Sequence, residues 1–471
     1  MVYIKVKCNV PRIMITAASS NSGKTTITTS LLKAFSMRGK NVSAYKSGPD
    51  YIDPMFHREV VKIPSRNLDE FMIGENNCKY VLCKNSKDAD ISIIEGVMGY
   101  YDGIGTNTSC STYELAKLLD CPVILVLNCK GMAASVCALI EGFKNFREKS
   151  NIKGVILNDI SKGLYGYYKN IIESNTDVKV YGYLPYLQDC KLESRHLGLV
   201  TAQEIGNLED IVKKLGEASL KTIDLEGLYE LALNSSVLEY EESNIETVGK
   251  TKIAVAMDKA FCFYYRDNLD LFEQLGAEIV EFSPLNDKEL PKDIGGLYLG
   301  GGYPELYMKE LSENKSMLKD LKEKINMGLP TFAECGGYMY LMESFKDENA
   351  IEHNLVGAIE GQSNMTKSLE NFGYATLVAN CDNLMCNKGQ SINVHEFHYS
   401  TSTNKGSSFT AKKPQSEKRY DCIIADETKF MGYPHFHFLG NIGFARNFIE
   451  KCTEYSTENC YNNSKNRRTQ L

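Results

Sequence analysis

The sequence has no tryptophan, only seven histidines, and no C-x-x-C pair among its fifteen cysteines. Missing tryptophan excludes no chemistry. The lack of paired cysteines removes the common zinc motifs, and no other zinc site is visible. No apolar run approaches the roughly 18 residues a membrane span needs. No basic-then-apolar leader opens the chain, so the scattered cysteines read as reduced thiols in a cytoplasmic protein. The net charge of -7 argues against general nucleic-acid binding. Basic and aromatic residues do not interleave as single-strand binders require. An anionic small molecule stays possible, because a local positive cluster can hold one on an acidic protein. No internal repeat is present.

What is there is length and an alternating rhythm. A chain of 471 residues with 43% apolar content predicts two domains, each of roughly 200–250 residues. In the first half, RIMITAA (12–18), NVSAYK (41–46), DISIIEG (90–96), CPVILVLN (121–128), KGVILND (153–159) and VKVYGYLP (178–185) read as strands. Their near-continuous apolar character suits a parallel sheet covered on both faces. Helical spacing at 24–38 and 111–119 completes an α/β, doubly wound pattern. Residues 234–250 turn polar and acidic and read as a linker between a 1–233 domain and a 251–450 domain. A second α/β series follows with KIAVAMD (252–258), AEIVEFS (277–283), GGLYLGGG (295–302) and LPTFAECGG (329–337). The polar tail 451–471 is expected to be frayed.

Residues 16–35, TAASSNSGKTTITTSLLKAF, carry a phosphate-binding loop whose first glycine is replaced by Ala18. Alanine serves there if it keeps negative φ. Ser22, Gly23, Lys24, Thr25 and Thr26 retain what the chemistry requires. Gly23 lets backbone amides approach phosphate oxygens, Lys24 reaches the terminal phosphates, and the following helix points its positive end at the anion. Downstream, YKSGPDYIDPMFH (45–57) gathers Lys46, Asp50, Asp53 and His57, and IIEGVMGYYDG (93–103) puts Glu95 at a strand's carboxyl end. Doubly wound sheets bind ligands at such ends. Asp53 and Glu95 could complete a Mg²⁺ shell with Thr25, since Mg²⁺ takes few carboxylates plus phosphate oxygens and water.

In the second half, Cys335 falls where a strand meets Gly336-Gly337 and a helix begins. That is the placement of an exposed nucleophile, with backbone N–H groups free to hold an oxyanion and a helix terminus to lower the thiol pKa. Gly301 and Gly302 could add oxyanion amides. Candidates for the base are His353, the pair in HEFHYS (395–400), and the pair His435 and His437 in GYPHFHFLGN (432–441).

At these residues the sequence resembles the cobyrinic acid a,c-diamide synthase family. SSNSGKTT, SGPDYIDPMFH, EGVMGYYDG, SRHLGLV (194–200), GGGYPE, FAECGGYMYL, HEFHYS and HFHF look like its motifs, in its order, over residues 10–450. The resemblance implies a P-loop, dethiobiotin-synthetase-like amidoligase domain followed by a class I glutamine amidotransferase-like domain. It implies ATP and Mg²⁺ as cofactors, and a corrinoid carboxylate, L-glutamine and ATP as small-molecule partners. In the subfamily resembled, the amidotransferase keeps Cys and His but lacks the usual third, acidic member. Accordingly, no acid stands two residues after His435 or His437. By similarity to the cobyric acid synthase pattern His435 is favoured as base, with His437 close behind.

The resemblance further implies that ammonia from glutamine amidates an acyl phosphate made from ATP. It places Asp50 and Asp102 as positioning groups, Asn158 at the adenine, and Arg195 and His196 at substrate carboxylates. Cobyrinic acid is the favoured ring, with hydrogenobyrinic acid and nickel sirohydrochlorin as alternatives. A P-loop ATPase switch is the reading of another class, although such switches carry an early loop lysine where this chain has Ser19 and Ser20. A homodimer is the ordinary expectation for a soluble oligomer.

Overall fold

The computed structural model describes the backbone of residues 3–190, 194–195, 198–199 and 208–469. The chain divides into two compact units, Met1–Ser243 and Asn244–Leu471.

In the first unit the apolar runs become a seven-stranded sheet, ordered Ser65–Leu68, Val42–Ser47, Ile91–Glu95, Arg12–Ala17, Val123–Asn128, Ile152–Asn158, Lys179–Leu184. Every pairing is parallel. Arg12–Ala17, Val42–Ser47 and Ile91–Glu95 are buried at every residue, as expected for strands covered on both faces. Helix Lys24–Met37 buries Ile27, Leu31, Leu32 and Phe35 in the same core as Ile211, Val212 and Leu215 of helix Leu208–Thr222. Because all strands run one way, the segments leaving their carboxyl ends emerge at a single edge. The register sets Glu95 beside both Ile15 and Lys46.

The stretch 234–250, expected to be a linker, is partly built into this unit. Leu238–Ser243 pairs antiparallel with Tyr3–Cys8. Leu238 and Tyr240 are buried while Glu239 and Glu241 are exposed. That alternation is a strand signal overshadowed by the acidic composition. Ser235 and Ser236 also bond Arg12, a fully buried guanidinium that holds the Val10, Leu119 and Ser236 carbonyls.

The second unit has a six-stranded sheet, ordered Ala277–Phe282, Thr251–Ala256, Gly296–Leu299, Thr331–Glu334, Lys429–Gly432, Ile424–Ala425. All but the last strand are parallel. A second sheet is centred on the pair Ile359–Ala379 and Ser391–Ser402. The sequence reading had no strand there. The buried face of Ser391–Ser402 carries Ile392 and Val394 but then Glu396, His398, Ser400 and Ser402, so the inward apolar alternation stops after two residues.

The tail is the other correction. Helix Ile442–Thr469 runs through the segment expected to be frayed. Phe444, Phe448, Ile449 and Cys452 are buried at helical spacing. The hydroxyl of Thr251 bonds the Cys452 carbonyl at 3.2 Å and faces the Ser456 hydroxyl at 2.8 Å.

Candidate active sites

In the first unit the loop from Ala18 to Gly23 leaves the central strand and enters helix Lys24–Met37. Asn21 and Gly23 take the left-handed conformation, at φ 60° and 91°, and Ala18 is not among the residues with positive φ. Alanine is therefore no obstacle at position 18. Gly23 is constrained twice, since a Cβ there would lie 2.1 Å from Nδ2 of Asn158. Asn158, at the end of its strand, uses that Nδ2 to reach the Ser22 carbonyl at 3.4 Å. Ser22 in turn donates to the Ser19 carbonyl at 3.0 Å. Lys24 Nζ donates to the same carbonyl at 2.9 Å, and Thr26 follows in the first helical turn.

Around Glu95 the predicted residues converge. Thr25 donates its hydroxyl to Oε1 of Glu95 at 2.6 Å. Lys46 Nζ reaches the same oxygen at 3.1 Å and pairs with Asp53, while Asp50 stands off at 4.0 Å. Asp50 spends Oδ1 on the Ile52 amide, and Asp102 accepts from the Gly99 amide at 2.9 Å. Lys46, Asp53 and Glu95 are all buried, and burial alone would discharge them. Against that cost, Asp53 and Glu95 hold the Lys46 pKa up. Burial and then Glu95 push Asp53 well above the ordinary carboxylate range. Burial opposes ionisation of Glu95 too, but Lys46, His57 and Thr25 hold its pKa down. Lys24 is lowered to about 8 by burial and by the charge of Lys46.

In the second unit three strand ends meet. Cys335 follows Thr331–Glu334 in a strained conformation, φ 49° and ψ −107°, and helix Gly336–Leu341 starts behind it. Such backbone costs on the order of 1–3 kcal/mol and persists where the surroundings over-determine it. Here the Cys335 amide is fixed to the Gly432 carbonyl at 2.8 Å. Gly301 packs so tightly that a Cβ would lie 2.7 Å from Cε1 of His435. A Cβ on Gly302 would meet the Ala260 carbonyl at 2.1 Å, and one on Gly336 would lie 3.4 Å from the Gly302 amide nitrogen. The three predicted oxyanion glycines therefore gather at Cys335 and His435.

The structure separates the two histidines. Burial opposes charge on His435, but Cys335 and Glu334 raise its pKa to about 10. His437 is lowered to about 3 by burial. It stacks on Tyr265 with ring centres 4.8 Å apart, and its Nε2 is 3.9 Å from Asp267. Of the other candidates, His353 faces Asp347 at 3.6 Å. His395 is the strand partner of His435 and is lowered to about 3 by burial, His435 and Lys413. His398 is held by Glu396 and the Ser400 carbonyl, flat against Tyr433 at 3.9 Å.

Comparison with known proteins fits both halves. The model of a CobQ/CobB/MinD/ParA nucleotide binding domain matches residues 13–200. That of a CobB/CobQ-like glutamine amidotransferase domain matches residues 252–442. A cobyrinate a,c-diamide synthase of Clostridium tetani is 46% identical over 443 residues, 93% of this chain and 99% of the relative. The proteins of the same name from Caldanaerobacter subterraneus and Clostridium acetobutylicum are 39% and 41% identical, over 98% and 99% of their lengths. The chain belongs to the cobyrinate a,c-diamide synthase family.

Within that family frame, the sites contain side chains the sequence reading left unassigned. His57 is fully buried with Nε2 3.4 Å from Oε2 of Glu95. Its membership in the 45–57 segment was the available signal. Glu334, also fully buried, faces His435. For Mg²⁺, the hydroxyl of Thr25 and the carboxylates of Asp53 and Glu95 are the hard oxygen donors this ion takes. Oε2 of Glu95 is buried without a hydrogen bond, so the set fits the ion, with Lys46 lying among the same carboxylates. Among the described residues no group of three or more His, Cys, Asp or Glu is arranged to hold a metal, which leaves phosphate and water to complete any shell. Arg195 lies on the short strand Ser194–Arg195, with its side chain, like all of His196, outside the described residues. Among the described residues no helix is long and apolar enough to cross a membrane.

Proposed function

We propose that the chain uses ATP and glutamine to amidate the a and c side-chain carboxylates of cobyrinic acid. The observation that carries this reading is the presence, in one chain matching its relatives end to end, of a phosphate loop with a buried lysine–carboxylate cluster and a strained Cys335 beside His435.

Glutamine acylates Cys335, His435 takes the thiol proton and returns it to the departing ammonia, and amides near Gly302 and Gly336 hold the oxyanion. Water clears the thioester. His435 suits this work because Cys335 and Glu334 favour its protonated form, so the imidazole draws the proton from the thiol, whereas burial opposes protonation of His437.

Ammonia does not displace oxide from a carboxylate. Transfer of a phosphoryl group from ATP to the carboxylate gives an acyl phosphate, whose phosphate ammonia then displaces. Phosphoryl transfer needs alignment and charge neutralisation more than covalent help. Lys24, at a pKa of about 8, and Lys46, held charged, supply positive groups at the loop. Thr25, Asp53 and Glu95 are the residues that would hold Mg²⁺, which neutralises phosphate charge when bound. Asp50 and Asp102 position the substrate, and Asn158 contributes through the loop it already contacts.

The test is ADP release from the protein with Mg-ATP and glutamine, offered cobyrinic acid, hydrogenobyrinic acid and nickel sirohydrochlorin, with mass spectrometry of each ring. The expected result is two amides gained on cobyrinic acid with about one ADP per amide. ADP release with another ring alone would reassign the substrate. No release with any ring would remove the amidation reading.

A further inference from the structure

We infer that Glu334 is the acidic positioning residue for His435, supplied from the position before the nucleophile rather than from beyond the histidine. This rests on the reading of Cys335 as nucleophile.

Glu334 has no exposed surface. A carboxylate so buried needs partners for both oxygens. Oε1 accepts from the Tyr298 hydroxyl at 2.8 Å, and Oε2 accepts from the Phe436 amide at 3.0 Å. Both donors are neutral, so the negative charge remains to be met. Among the described residues, His435 is the basic side chain within reach, its Nδ1 3.9 Å from Oε1.

The same bonds aim the histidine. Oε2 of Glu334 holds the amide of Phe436, the residue next to His435. Asn268 holds the Phe436 carbonyl at 2.7 Å and the Phe438 amide at 2.8 Å. The segment bearing the base is thus fastened on both sides of Phe436, and one of the fasteners is the residue preceding the nucleophile. A carboxylate facing Nδ1 at 3.9 Å acts through its charge, steadying the imidazolium once the proton has moved.

Distance alone does not make the assignment, because Asp267 stands at the same 3.9 Å from His437 and that ring is pushed down. The difference lies in what else faces each ring. Around His435 the titratable groups are Glu334 and Cys335 from one strand end and His395 from the neighbouring strand, with Gly301 contributing no charge. Burial opposes charge on this ring, and Cys335 and Glu334 together outweigh it.

The experiment measures glutamine hydrolysis against pH for wild type, Glu334→Gln, Glu334→Asp, Tyr298→Phe and Cys335→Ala. Glu334→Gln should lower kcat about 10- to 100-fold, as loss of a residue orienting a catalytic ring does. KM for glutamine should stay within about twofold. The basic limb of the kcat profile should move down by about one pH unit, since a carboxylate no longer favours the imidazolium. Glu334→Asp should recover part of the rate and of the limb. A Glu334→Gln enzyme within about threefold of wild type with an unmoved limb would overturn the inference. So would a loss of rate with an unmoved limb and no recovery by aspartate, which is the mark of a structural role. If Glu334→Gln does not fold, Tyr298→Phe decides. Removing the neutral donor from Oε1 should move the limb up, and an unmoved or lowered limb overturns the assignment. Hydrolysis surviving in Cys335→Ala would instead bring down the underlying reading. Hydrolysis lost there but intact in Glu334→Gln would bring down this inference alone.

Discussion

In the amino-terminal unit one buried lysine lies between two buried carboxylates, and the carboxylates are driven apart: Glu95 stays ionised while Asp53 is pushed toward its neutral form. In the carboxy-terminal unit two buried histidines, two residues apart, are driven apart in the same manner, to about 10 and about 3. Burial acts alike on all four groups, disfavouring charge. The outcome differs with the neighbours: Lys46, His57 and Thr25 favour the charged form of Glu95, and Cys335 with Glu334 favours that of His435. The first unit gathers shared charge at its strand ends, and the second combines backbone strain at Cys335 with the charge of Glu334 near His435.

The largest effect that would sharpen this contrast is Cys335→Ala. Glutamine-supported amidation should fall by at least about 10³-fold, as expected for loss of a nucleophile. Amidation with ammonium salts should persist, because the phosphoryl chemistry sits in the other unit. Loss of both activities in a folded variant would break the division. Next comes the carboxylate pair. Glu95→Gln should cost on the order of 10²-fold or more in ATP-dependent turnover, the scale of a lost electrostatic contact to a reacting group. Asp53→Asn should also lower ATP-dependent turnover, since it removes the carboxylate that pairs with Lys46. Glutamine hydrolysis should be largely spared in both. Turnover near wild type in Glu95→Gln would falsify the assignment of that carboxylate.

A smaller effect is expected at the loop. Gly23→Ala forces a Cβ into the left-handed region, at roughly 1–2 kcal/mol, and against the amide of Asn158. ATP should bind about tenfold more weakly, consistent with a cost of that size. Calorimetric titration checks it, and adding Asn158→Ala should recover only the part due to the clash. The smallest effect on activity concerns His437. Its folded pKa lies below the ordinary value of 6.5, so the unfolded chain binds the proton the folded chain refuses. That costs no stability above pH 6.5 and about 1.4 kcal/mol for each unit the pH falls below it, down to about 3. His437→Phe should flatten the acid side of the melting curve and leave glutamine hydrolysis within about threefold of wild type. An unchanged acid slope would remove His437 as its source.

Much of the amino-terminal site could be read along the chain. Its loop is contiguous, Lys46 and Glu95 lie at the carboxyl ends of apolar strands and Asp53 in the helix that follows the first of them, so a parallel sheet delivers them to one edge whatever the details of packing. What stayed hidden was that Lys46 would bond both carboxylates and that His57 would join them, since spacing says nothing of where side-chain tips meet. In the carboxy-terminal unit, Cys335 was legible for the same reason as the loop. The linker and tail were misjudged because polar composition hid the alternation at 238–243 and the helical spacing through Cys452.

The sequence by itself determined six of the seven strands of the first unit's parallel sheet, their common direction, the phosphate loop and the place of Cys335 at a strand end, because each follows from local pattern and chain handedness. How the surroundings of His435 and His437 would differ was beyond it. His435 and His437 are two residues apart on extended backbone, where alternation puts them on the same side. Packing makes them differ, by setting Glu334 from one distant segment and Tyr265 and Asn268 from another against that short stretch.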